Sequence, residues 1–236
     1  MRQPGKPGKP GQPTDMHREV LSADTAREFS VVGRLAKAFG FVLVGGTALA
    51  LHLGHRRSDD LDFFCPEGFD QNALIEQFQQ SYPYGLRVVD AGRQDTLHLV
   101  VNGVKVSFLR QTGGHLRDTR DFDGVPLANV HDLVAMKVNA VSTRGAKKDF
   151  IDLYFVAQSG LGFGFAAILQ AALEVFPRMN LVHALKSFAY FADADSEPQP
   201  VMLRPCSWPQ VKQFFTDAAV QMQRAEMGQT SRGFCG

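Results

Sequence analysis

Cysteine is scarce in this chain, tryptophan nearly absent and net charge almost nil. Only Cys65, Cys206 and Cys235 occur among 236 residues. So sparse and odd-numbered a set argues against a disulfide framework and fits free thiols in a reducing compartment. No run of about 18 apolar residues appears, so no transmembrane helix is expected. The N-terminal stretch has no apolar segment of the kind found in secretory signals, which leaves the cytoplasm as the expected location. Lys and Arg number 25 against 24 Asp and Glu, a formal charge of +1, so bulk electrostatics gives no reason to expect nucleic-acid binding. A local basic patch would be invisible to composition.

The remaining composition is ordinary for a buried core. Apolar residues make up 44% and charged residues 21%, enough for one large domain or a domain with a helical appendage. Nineteen Phe against one Trp make that core Phe-rich. Residues 1–15 (MRQPGKPGKPGQPTD) are Gly, Pro, Lys and Gln with little else, and a disordered extension is expected there, with Met16 a reasonable start. Residues 228–236 are Gly-rich and read as a disordered tail.

Between these ends the periodicities alternate. Ser22 or Asp24 can cap a helix over 24–39, where Phe29, Val32, Leu35, Ala36 and Phe39 recur at helical spacing. FVLV (41–44) suits a buried strand. Gly45-Gly46 turns the chain, and Thr47 can cap a short helix over TALALHL. LDFF (61–64) predicts a strand and 71–80 a helix. Strands follow near 85–90 and 96–101, and Asn102-Gly103 joins the latter to VKVSFL (104–109) as a hairpin. From about residue 131 the pattern is helical, broken at Pro177 and by a loop over 196–207. The order predicts an α+β fold, a small mixed sheet flanked by helices with a helical second half. The expected division is a core over 16–125 and a helical region over 126–227 that completes the active site.

Chemistry concentrates in two places. Asp60 and Asp62 are two apart in a predicted strand, which puts both carboxylates on one face. Such a pair can be merely solvated. Here Leu61, Phe63 and Phe64 make its setting apolar, where charges without partners are costly. A hard divalent ion, which takes oxygen ligands and keeps substrate phosphates, relieves that cost. Upstream, the Gly45-Gly46 turn between strand and helix exposes backbone N–H groups suited to phosphate oxygens. Phosphate cradle and carboxylate pair together describe a nucleoside triphosphate site.

The second place is the helix over 131–143. Lys137 has Leu133, Val134, Ala140 and Val141 on its own face, an apolar stripe. It either snorkels from the edge of that stripe or serves a ligand. If it serves a ligand, Met in its place is expected to fill the slot and stabilise the protein slightly. Asp149 and Asp152 are three apart on the next helix, with Lys148 a turn before Asp152, either as a surface pair or as part of a site. The acidic cluster Asp193, Asp195 and Glu197 reads as solvated, His55 as packing or a helix-end charge, and Phe188, Tyr190, Phe191, Phe214 and Phe215 as core.

VGGTALALHLGHRRSDDLDFF (44–64) resembles the first signature of the nucleotidyltransferase superfamily, and more closely that of the AbiEii/AbiGii toxin family. HDLVAMKVNAVSTRGAKKDFIDLYF (131–155) is similar to that family's Lys-bearing helix and Lys-Asp-x-x-Asp segment. LKSFAYFADADSEPQPVMLRPCSWPQVKQFF (185–215) also looks like its members, so the resemblance covers roughly residues 24–225. It implies transfer of a nucleotidyl group from a nucleoside triphosphate to an acceptor with release of pyrophosphate. Asp60 and Asp62 would hold Mg²⁺ or Mn²⁺. Gly45, Gly46 and Thr47 would cradle the triphosphate, with Arg56 and Ser58 touching phosphate or ribose. Lys137 would neutralise part of its charge, and Asp149 would act in or shape the site, supported by Lys148 and Asp152. The resemblance also implies tRNA as an acceptor and an antitoxin protein as a partner. Transfer to a protein side chain, or a fold kept only for binding, are the alternatives. One departure stands out. Where many nucleotidyltransferases carry a third carboxylate, on the strand after the hairpin, this sequence has Ser107, which cannot be a base at neutral pH.

Overall fold

The computed structural model describes residues 15–93, 95–111 and 117–232. They divide into two compact units, Met1–Leu133 with Val201–Arg204, and Val134–Pro200 with Pro205–Gly236. The disorder expected for residues 1–14 and 233–236 falls outside the described residues.

The first unit is a seven-stranded mixed sheet with helices. Its elements run α1 (Ala23–Ala38), β1 (Val42–Val44), α2 (Gly45–Leu53), β2 (Leu61–Cys65), α3 (Gln71–Ser81), β3 (Leu86–Arg93), β4 (Thr96–Val101), β5 (Val104–Arg110), β6 (Arg120–Phe122) and β7 (Val125–Leu127). The strand order is β3-β4-β5-β2-β1-β7-β6. β1 is antiparallel to β2 and parallel to β7, while β2 is parallel to β5. Ser22 caps α1 by accepting from the Thr25 N–H at 3.3 Å, as its residue type predicts.

Strand alternation sets the layers. Leu61 and Phe63 of β2, Val106 and Phe108 of β5, and Leu97 and Leu99 of β4 are buried, and the residues between them are partly exposed or exposed. Phe108 is the hub of this core, stacked on Phe63 at 5.4 Å and met edge-on by Phe41 and Phe78. The Asn102-Gly103 hairpin forms as expected, with both residues at positive φ. A second hairpin, β6–β7, was not anticipated. Its turn, Asp123-Gly124, takes the same positive-φ pair, and Asp-Gly is the signal that was available to find it.

The second unit holds most of α4 (Val130–Thr143), then α5 (Lys147–Gln158), α6 (Phe165–Val175), α7 (Leu181–Ser187), α8 (Ala192–Ser196) and α9 (Trp208–Arg232). Phe150, Phe188 and Phe215 are fully buried and packed ring on ring at 5.1–6.2 Å. Phe188 and Phe215 are core as expected, Phe191 and Phe214 are half-buried with their rings against it, and Tyr190 is 59% exposed and not core. The loop expected over 196–207 runs between α8 and α9, with Asp193 and Asp195 on α8 ahead of it. Two acidic residues here are structural: Asp195 accepts from the Trp208 indole at 2.6 Å and pairs with Lys212 at 3.0 Å, while Glu197 accepts from the Lys147 N–H at the start of α5. α9 continues to Arg232 where a tail was expected from 228, since the run of helix formers before Gly228 carries the helix past its roughly 1 kcal/mol penalty.

His52 supplies a pH test of the first unit. Its ring is buried in α2, and Nε2 bonds the Ala128 carbonyl at 2.9 Å while Nδ1 has no partner. Burial outweighs that bond and pushes the imidazole down to about 4. The unfolded chain therefore takes up a proton near pH 6.5 that the folded chain refuses, so stability is present above about 6.5 and is lost as pH falls toward 4. The loss amounts to about 3 kcal/mol. Urea unfolding across that range should show the slope in wild type and a flatter one in His52→Gln. An unchanged slope would assign the loss to other groups.

Candidate active site

β1 and β2 bring the first constellation together. Their antiparallel register sets Val44 opposite Asp62, so the chain leaving β1 turns directly beside that carboxylate. Gly45 takes the turn at φ +71°, and a Cβ there would lie 2.8 Å from Asp62 Oδ2. Only glycine satisfies both the backbone and the contact. Gly46 is constrained in another way: a Cβ on it would lie 2.5 Å from an Arg56 guanidinium nitrogen. The turn is thus in contact range of both the carboxylate and the guanidinium.

α2 begins at Gly45 itself, with Val44 as its N-cap, a residue that makes no side-chain cap bond. Thr47 was expected to be the cap and is not. It sits inside the first turn, and its hydroxyl donates to the Asp60 carbonyl and lies 2.9 Å from Ser58 Oγ. Thr47 and Ser58 therefore hold the segment before β2 against the glycine turn. The leading N–H groups of α2 lie at the positive end of the helix. Arg56 is buried, donates to the Arg57 carbonyl at 3.0 Å and pairs through its backbone with Met202. His55 is fully buried, as the packing reading requires.

Asp60 needs a correction. β2 starts at Leu61, so Asp60 stands exposed just ahead of the strand while Asp62 is half-buried within it. The pair therefore straddles the start of the strand. Among the described residues no cluster of three or more His, Cys, Asp or Glu is placed to hold a metal ion. Two carboxylates beside a helix start fit a hard ion that fills its other positions with phosphate oxygens and water.

The second constellation lies within the helical unit. Lys137 of α4 is 4% exposed, and its ammonium is 2.7 Å from both Asp149 Oδ1 and Asp152 Oδ2 of α5. Both carboxylates are fully buried. Arg144, which sequence reasoning missed, adds a forked contact to Asp149 at 2.8 and 3.1 Å. Burial pushes the Asp149 carboxyl up, but Lys137 and Arg144 together outweigh it and hold it below the ordinary carboxylate range. Asp152 thus touches the lysine directly, as Asp149 does. Lys148, placed with it by spacing, is exposed, and the buried lysine is its neighbour Lys147. Lys147 is held by the Glu197 carbonyl and lies over the Trp208 ring at 5.4 Å.

The sequence family described as "Nucleotidyl transferase AbiEii toxin, Type IV TA system" matches residues 33–92, the span from α1 through the glycine turn, β2 and α3. An uncharacterised protein of Aquifex aeolicus is 32% identical over 179 residues, covering 74% of this chain and 84% of its own. Among solved structures, JHP933 from Helicobacter pylori superposes with a TM-score of 0.53 at 16% identity, over 91% of this chain and 97% of that one. A putative nucleotidyltransferase from H. pylori gives 0.50 at 16%, over 87% and 97%. At that identity the two structures speak for the fold, and the sequence matches carry the family. The chain belongs to the AbiEii family of nucleotidyltransferases, a family of transferase enzymes.

Proposed function

We propose that this chain moves a nucleotidyl group from a nucleoside triphosphate to an acceptor hydroxyl with release of pyrophosphate. The observation that carries the reading is the contact between Gly45 and Asp62, which sets a helix N-terminus and a carboxylate against each other. Phosphate oxygens would meet the first N–H groups of α2, and Arg56, packed behind Gly46, would add fixed positive charge. Asp60 and Asp62 would hold Mg²⁺ or Mn²⁺, and such an ion offsets the charge that develops on the α-phosphoryl oxygens. Thr47 and Ser58 keep the turn and the carboxylate segment in register, so the donors are in place before substrate arrives. Lys137 and Asp149 are retained as charged residues on which activity depends, with Asp152 and Arg144 fixing them. Lys148 would contribute surface charge only.

In this reading tRNA is the acceptor, an antitoxin protein is the biological partner and the cytoplasm is the location. The description of the matching family supports the toxin role. Among the described residues no helix is long and apolar enough to cross a membrane.

Titration calorimetry with each of the four triphosphates tests the binding half of the proposal. Binding is expected with Mg²⁺ present and should weaken by roughly 10-fold or more without it or in Asp60→Ala, since one charged contact is worth about 1.5–3 kcal/mol. Equal binding by wild type and Asp60→Ala, with and without the ion, would remove the carboxylates from the site.

A further inference from the structure

Asp62 does not stand alone on its row of the sheet. β2 and β5 run parallel with Asp62 opposite Ser107, and β5 and β4 run antiparallel with Ser107 opposite His98. Residues directly opposite in adjacent strands share a face. This face is the one turned away from Leu61, Phe63, Val106, Phe108, Leu97 and Leu99, all of them at most 1% exposed. Asp62, Ser107 and His98 are each half-buried on it. His98 Nδ1 lies 3.2 Å from Ser107 Oγ. A serine next to the metal-binding carboxylate therefore has an imidazole behind it, at the position where many nucleotidyltransferases present a carboxylate.

We infer that Ser107 and His98 together replace that carboxylate as the acceptor of the nucleophile's proton, with His98 acting through Ser107. The inference rests on the nucleotidyl-transfer reading. A serine hydroxyl alone cannot take up a proton at neutral pH, whereas imidazole is the side chain whose ordinary titration lies there. In the step, the acceptor hydroxyl gives its proton to Ser107 Oγ as the Ser107 proton passes to His98 Nδ1. The acceptor oxygen bonds to the α-phosphorus, and the bond from that phosphorus to the bridging oxygen breaks. Its electron pair leaves with pyrophosphate, and the imidazolium later returns its proton to solvent. Arg87 and Asp90 of β3, Lys105 of β5 and Asp62 of β2 are charged residues that share this face by register.

The test follows label transfer from an α-labelled triphosphate between about pH 5 and 9, the range in which imidazole titrates. Wild type, His98→Gln, Ser107→Ala and Ser107→Asp are compared, with nitrogen NMR of the imidazoles as a readout independent of activity. Wild-type rate should rise with pH through an inflection in the imidazole range. His98→Gln and Ser107→Ala should each be slower by about 10²-fold and lose that inflection, while Mg²⁺-dependent triphosphate binding persists in both. Ser107→Asp should move the inflection into the carboxylate range and make the rate much less sensitive to His98→Gln in the same chain. Ser107→Ala should also shift the His98 Nδ1 resonance, as loss of its hydrogen bond requires. If His98→Gln keeps the wild-type rate and inflection, the relay is overturned while nucleotidyl transfer stands. If wild type binds triphosphate and labels no acceptor at any pH, the transfer reading itself falls, and the relay with it.

Discussion

Replacing Lys137 by Met should destabilise the protein by about 3–5 kcal/mol, the cost of breaking a buried ion pair from one side. The apolar stripe around Lys137 alone predicts the opposite sign, a slight gain from removing a charge. The structure reverses that expectation because the stripe is only half of the environment. The ammonium lies 2.7 Å from two carboxylates, and both are fully buried. Met fills the volume but takes the positive charge from between two buried carboxylates, with Arg144 still on Asp149. Urea unfolding of wild type and variant measures the loss directly. Lys137→Met/Asp152→Asn should recover part of it, since one of the two charges is then gone. A Lys137→Met protein as stable as wild type would mean that these carboxylates take up protons at little cost, and the cluster would not hold the helical unit together. Any activity assay on Lys137→Met must therefore be read against its folded fraction.

The site was legible in the sequence where its geometry is local. A glycine pair between an apolar run and a helix, followed by an acid pair and a second apolar run, leaves few choices. Strand, turn, helix and returning strand must follow, and the β1–β2 register then puts Gly45 against Asp62. Asp60 was misplaced because strand ends are set by hydrogen bonding, not by side-chain alternation. The strand starts at Leu61, where pairing with β5 begins. Thr47 has the residue type of a cap, but Gly45 at positive φ lets the helix start two residues earlier, which frees the hydroxyl to tie down Ser58 and Asp60. The Lys137 cluster shows the same limit. Spacing along α4 shows that the lysine faces apolar neighbours and spacing along α5 that Asp149 and Asp152 are adjacent. Only the packing of the two helices shows that they meet, and Arg144, in the turn between them, has no periodic signal at all. His98 was hidden for a similar reason, since its link to Ser107 is a cross-strand pairing.

Asp62→Asn is the cleanest probe of the chemistry. Asn keeps the shape of the side chain, so Gly45 still packs against it and Leu61 and Phe63 stay in the core. What changes is charge: a cation held as proposed would lose one of two carboxylates, and the turn loses its negative neighbour. Removing one preorganised electrostatic contact at a reacting phosphoryl group costs about 10²–10³-fold. The decisive measurement is therefore the transfer of label from each α-labelled triphosphate, with Mg²⁺ or Mn²⁺, into total tRNA and into protein, by wild type and by Asp62→Asn. Transfer to tRNA that requires the metal and falls by about 10²–10³-fold in Asp62→Asn is the predicted result. Label in protein instead would change the acceptor. Wild-type transfer undiminished in Asp62→Asn, or no label in any acceptor while triphosphate still binds, would contradict the account.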